Sequence, residues 1–210
     1  FNGIVSGTSE GAIVMSQTFL SLAVGAALMS TLAVVRHTRQ NEETGRAELL
    51  GAAVVGRYAL LAAGLLLAAL ANLGLGVLQT AVLLGFGLPV AGSVVAGAGI
   101  ALVGLAFAAV AAVTSQVFSH ARAANGAAAA VLGVAFLARA LGDSTGTVTE
   151  RRTRLESAWP SWLLPLGWGQ QVRAYDDDAM GPLLLLVGWV GAVVAVAALL
   201  VAHRDLGRGL

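Results

Sequence analysis

Five long, nearly charge-free stretches divide this chain: Ala12–Val35, Tyr58–Leu84, Ser93–Phe118, Ala123–Leu141 and Pro182–Ala202. Each is long enough, at about 1.5 Å of rise per residue, to cross the roughly 30 Å hydrocarbon core of a bilayer. In lipid only helices and closed barrels satisfy their own backbone, and no alternating strand pattern is present. The expected fold is therefore all-α, a polytopic membrane bundle of about five transmembrane helices. Only 11% of residues are charged and mean hydropathy is +0.84, whereas soluble domains carry roughly a quarter charged residues. Residues 1–210 thus read as one transmembrane domain with no separate soluble unit.

Residue usage removes several functions. There is no cysteine, hence no disulfide framework and no thiolate metal site. All basic residues are arginine, and no basic run with interleaved aromatics points to nucleic acid. His37, His120 and His203 fall at span ends, where polar aromatic groups suit helix termini and interfaces, so no metal site is expected. The Ala, Gly, Val, Leu and Arg bias fits a GC-rich bacterial genome. A chain that begins at Phe1 reads as a piece of something longer.

Arginine placement sets the orientation, because cytoplasmic ends attract Arg and Lys. Arg36, Arg39, Arg46 and Arg57 lie between the first two spans, Arg122 lies after the third, and Arg204 and Arg208 lie in the tail. Segments 36–57, 119–122 and 203–210 are therefore expected in the cytoplasm, and the uncharged turn Phe86–Gly92 and the loop 142–180 outside. In that outer loop, Glu150/Arg154 and Arg152/Glu156 at i,i+4 predict an exposed helical turn. Trp159, Trp162 and Trp168, with Pro160 and Pro165, predict short interfacial or re-entrant helices. Asp176, Asp177 and Asp178 then read as a solvated cap rather than a calcium site.

The polar island between the first two spans carries the functional signal. Glu42 and Arg46 stand at i,i+4, and Glu43 and Arg46 at i,i+3, while Ala47, Leu50 and Val54 share the opposite face. This pattern predicts an amphipathic helix on the inner membrane surface with a charged face left for a soluble partner. No phosphate-binding loop is possible, because that motif needs a lysine after its glycines.

The order Glu43-x-Gly45-x-x-Glu48-Leu49-Leu50, followed by Gly56-Arg57, resembles the cytoplasmic segment of ABC-2 type transporter permeases. The fuller string from Val35-Arg36-His37-Thr38-Arg39 through Leu50 is similar to the actinobacterial permeases known as exporters of polyketide antibiotics, a multidrug efflux group. Ala138–Asp143, Pro165–Arg173 and Arg204–Leu210 resemble the same group, and Val54 stands where the family usually has proline. The resemblance implies an ABC exporter's transmembrane subunit in a bacterial cell membrane. Its cargo would be an amphiphilic drug or antibiotic-like compound, and its uses antibiotic export and resistance. It further implies six spans per half, so that this chain is most of one half, the first, with one span upstream of Phe1 and a second permease half as partner. Segment 36–57 would hold the coupling helix, with Arg39, Glu42, Glu43, Gly45, Arg46 and Glu48 meeting an ABC ATPase subunit. ATP and magnesium would sit in that subunit, this chain binding no cofactor and having no catalytic residues of its own.

Polar residues inside spans are few. Gln17, Asn72, Gln79, Thr114 and Gln116 are candidates for a substrate path, and equally for hydrogen bonds between helices. Arg139 and Asp143, at i,i+4, are expected to pair at the outer end of their helix. Acidic residues avoid the span centres, which disfavours the alternative of an ion-coupled secondary transporter.

Overall fold

In a computed structural model the described residues are 7–43, 56–148 and 154–203. Five helices are long and apolar enough to cross a membrane, and they build an all-α polytopic bundle. The first, α1 (Glu10–Val35), runs on through a π-helical turn, Arg36–Gln40, and a last turn, Asn41–Glu43. The others are α2 (Ala59–Gly85), α3 (Val90–Val117), α4 (Ala121–Ser144) and α6 (Met180–His203). A short helix, α5 (Pro165–Gln171), follows a 3-10 turn, Trp159–Trp162, in the outer loop. These are the interfacial elements expected from the Trp/Pro run, with Pro165 opening α5 where its missing N–H costs nothing.

The chain punctuates its helices locally. Ser9 caps α1, its hydroxyl accepting from the Ala12 amide at 3.2 Å. Gly87, at φ 79°, makes the tight turn from α2 to α3 that a side chain would strain. The helix expected near Glu150–Glu156 is not seen at its described end. Leu155 and Glu156 are extended and pair antiparallel with Val148 and Thr147. Glu150 and Arg152 of the expected i,i+4 pairs lie outside the described residues, while Arg154 bonds Asp177 across the loop and also reaches Asp176 at 3.5 Å.

The centre of the bundle is α3, which packs against α1, α2, α4 and α6. Its composition explains the position. Gly92, Ala96, Gly97, Gly99, Gly104, Ala108 and Ala111 leave its surface smooth enough for close helix approach. At Gly97 an added Cβ would collide with the Gly76 carbonyl of α2. Around this axis one apolar cluster gathers Phe19, Ile100, Val103, Phe107 and Leu166, and a second, nearer the inner end, gathers Val34, Val35, Leu61 and Ala197. The outward faces of α2 and α6, including Leu66, Leu70, Val77, Leu184 and Leu199, remain exposed, as lipid-facing surfaces require.

Candidate functional site

The described residues of the three segments expected on one side, 36–43, 56–57, 119–122 and 203, lie at one end of the bundle. Arg57 donates from Nη1 to the Ala202 carbonyl at 3.2 Å, tying the start of α2 to the end of α6. The stretch from Arg36 to Glu43 holds no glycine or proline to break the helix, and it prolongs α1. The remainder of the polar island, 44–55, which carries Gly45, Arg46 and Glu48, lies outside the described residues.

The described part is engaged within the bundle. Arg39 is 2% exposed. Its Nε and Nη2 both donate to the Ser119 carbonyl, at 2.8 and 2.5 Å, and its Nη1 donates to Glu42 Oε2 at 2.5 Å. Ser119 belongs to the turn between α3 and α4. Glu43 Oε1 accepts from the backbone N–H of Ala121, the first residue of α4, at 2.7 Å. Thr38 returns its hydroxyl to the Val34 carbonyl at 2.7 Å and packs near Gly64 of α2. Expected as part of a partner-facing surface, Arg39 instead points its guanidinium inward and grips a neighbouring turn. Beside this cluster a small inner pocket is lined by Thr38, Glu42, Arg57, Leu61, Gln116 and Val201.

The candidate path residues do not converge on one cavity. Gln17 is exposed and Gln79 half-buried. Asn72 is wholly buried, and its Nδ2 donates to Ser30 Oγ of α1 and to the Ala68 carbonyl, both at 2.7 Å. Its Oδ1 lies against Gly104 of α3, where no side chain would fit, so Asn72 joins three helices. Thr114 bonds back to the Ala111 carbonyl, and Gln116 borders the inner pocket.

A second polar cluster closes the outer end. Arg139 Nη2 meets Asp143 Oδ2 at 2.7 Å, as the spacing predicts, and Arg139 Nε donates to Gln170 Oε1 of α5 at 2.6 Å. Ser157 donates to Asp143 Oδ1 at 2.6 Å, and Ser161 donates to the Arg139 carbonyl at 3.2 Å. The short helix α5 is thus pinned to α4, and Trp168 packs edge-on against Trp189 of α6 at 5.7 Å between ring centroids. Nearby, Tyr175 has φ 68°, seats its ring against Gly11 and Gly92, and shares a 2.8 Å hydrogen bond with Ser93 Oγ. Burial holds its phenol above the usual tyrosine range, so the hydroxyl keeps its proton through neutral pH. Tyr175 also borders an outer recess of about 370 Å³ that includes Glu10, Asp176 and Asp178. Among the described residues no cluster of His or acidic side chains could hold a metal ion.

Sequence reasoning missed the partners more than the residues. Ser119, Ala121, Ser157 and Tyr175 carry no motif, and Gln170 lies in a resembling segment that names no partner for it. One clue was available: α4 begins after His120, which supplies no side-chain cap, so an acceptor must come from elsewhere.

No family model matches the chain. Over 197 residues, 93% of its length, it is 41% identical to the multidrug efflux system permease protein Rv1217c of Mycobacterium tuberculosis (strain ATCC 25618 / H37Rv). The chain spans about a third (33%) of that relative's length. Identity at this level over nearly the whole chain makes it similar to about a third of a permease, in keeping with the five-span bundle and with the resemblance of its inner segment to ABC-2 type permeases.

Proposed function

We propose that this chain is part of the transmembrane subunit of an ATP-driven exporter in a bacterial plasma membrane. The observation that carries the reading is the 41% identity to a multidrug efflux permease across 93% of the chain. The chain moves an amphiphilic, drug-like compound outward. Its energy comes from a separate ABC ATPase, because a lysine-free chain has no phosphate-binding loop of its own. That ATPase seats on the charged segment between α1 and α2, where Glu42, Glu43 and the residues after them, among them Gly45, Arg46 and Glu48, present the polar island. A second permease half completes the path. The apolar, weakly charged bundle suits cargo that partitions into lipid.

The test is dye transport in inside-out vesicles holding the full-length permease and its ATPase. An amphiphilic fluorescent dye should accumulate only with hydrolysable ATP, and vanadate should stop it. Transport driven by a proton or sodium gradient without ATP would overturn the proposal in favour of an ion-coupled carrier.

A further inference from the structure

We propose that Arg39, Glu42 and Glu43 form a clasp that makes the inner ends of α1, α3 and α4 move as one unit. The clasp rests on the ATP-driven reading above and deepens it, because it passes displacement of the segment after Glu43 straight to α4. Its geometry is specific. The Arg39 guanidinium, 2% exposed, grips the Ser119 carbonyl with two nitrogens while Glu42 holds its third. A static turn between two helices needs no buried ion pair, and such pairs add little net stability but fix one arrangement over others.

Glu43 adds the directional element. The N-terminus of α4 leaves backbone N–H groups that require acceptors. A local Ser, Thr, Asp or Asn at the cap position would satisfy one without linking α4 to anything else. Here the cap residue is His120, whose side chain makes no capping bond, and the acceptor for Ala121 N–H arrives from Glu43 on another helix. A carboxylate at a helix N-terminus also gains from the helix dipole. The cap of α4 is therefore lent by the end of α1, and α4 keeps it only by following α1. Arg39, Glu42 and Glu43 are positioning residues, with no cargo contact required of them.

These 210 residues hold no cysteine, so the clasp can be tested by paired cysteines in the full-length permease, with any cysteine elsewhere in it replaced, reconstituted with its ATPase. The readout is dye transported per ATP hydrolysed, which loss of folding alone does not change in the complexes that assemble. Glu43→Ala should lower that ratio about fivefold, the scale of a lost helix cap, and Glu43→Gln, which keeps an acceptor, should restore much of it. In the second arm, Glu43→Cys and Ala121→Cys are joined by a short reducible cross-linker. Before joining, this variant lacks the Glu43 carboxylate and should show the lowered ratio of Glu43→Ala; joining should raise the ratio toward wild type, because the covalent link makes the two positions travel together again. A wild-type ratio in Glu43→Ala overturns the clasp, as does transport lost on joining and regained on reduction. A wild-type complex without ATP-dependent transport overturns the functional reading, and the clasp with it.

Discussion

Arg139 and Asp143 carry opposite charges into the outer end of the bundle, with side chains only 5% and 14% exposed. Taking such charges from water is expensive, and their attraction offsets the cost only while both remain and their other hydrogen-bonding groups are met. Gln170, Ser157 and Ser161 supply those bonds, so the pair is worth more as a junction between α4 and the outer loop than as a stabiliser. Removing one partner should hurt more than removing both. Arg139→Met is expected to destabilise the protein by about 3 kcal/mol, and Arg139→Met with Asp143→Leu by much less. Equilibrium unfolding in mixed micelles measures both, and equal losses would show that an unpaired Asp143 carries no penalty. The i,i+4 spacing made this pair legible in the sequence. The inward turn of Arg39 was not legible, because its acceptor is the Ser119 carbonyl, and a backbone carbonyl has no identity in a sequence.

At the scale of elements, the helices follow from runs of apolar residues, but their order of burial follows from small ones. The central helix α3 and the lipid-facing α2 are similarly apolar, and both exceed what a span needs. What sets α3 at the axis is a surface on which other backbones can rest. At its crossing with α2, a Cβ on Gly76 would stand 2.8 Å from the Gly97 carbonyl, and backbone cannot step aside as a side chain can. Gly97→Val or Gly76→Val should therefore cost more than about 1 kcal/mol through overpacking. On the same helix, Gly74 has nothing within 4 Å of its Cβ position, so Gly74→Val should be close to neutral. Melting of the three variants side by side decides whether the crossing is as close as described. Sequence reasoning recognised the density of glycine, though not which glycines face a neighbour, since both kinds occur only two residues apart on α2, on nearly opposite faces.

At the scale of the molecule, the bundle has two unlike ends. One end holds Arg36, Arg39, Arg57 and Arg122 with the polar segment, and the other holds Arg139, Arg154 and Arg173 beneath α5 and the Tyr175 loop. Single cysteines test this sidedness, since these 210 residues hold none, with the cysteine-free parent permease as the background control. Phe86→Cys, at an exposed outer turn, should react with an impermeant maleimide in intact cells. His203→Cys should react only after the membrane is opened. Reversed labelling would place the polar segment outside and remove the case for a cytosolic ATPase. The sequence by itself determined the number of long apolar helices, their limits to within a few residues and the resemblance to export permeases. Each of these depends on hydrophobic length, on charge near the ends or on a local motif, all written along the chain. Only the tertiary structure decided that α3 is the axis, that α1 runs past its apolar stretch to cap α4, and that Asn72 and Arg139 join helices. Those outcomes depend on which backbone groups come within hydrogen-bonding reach across the fold, and that is fixed by packing rather than by any residue's neighbours in sequence.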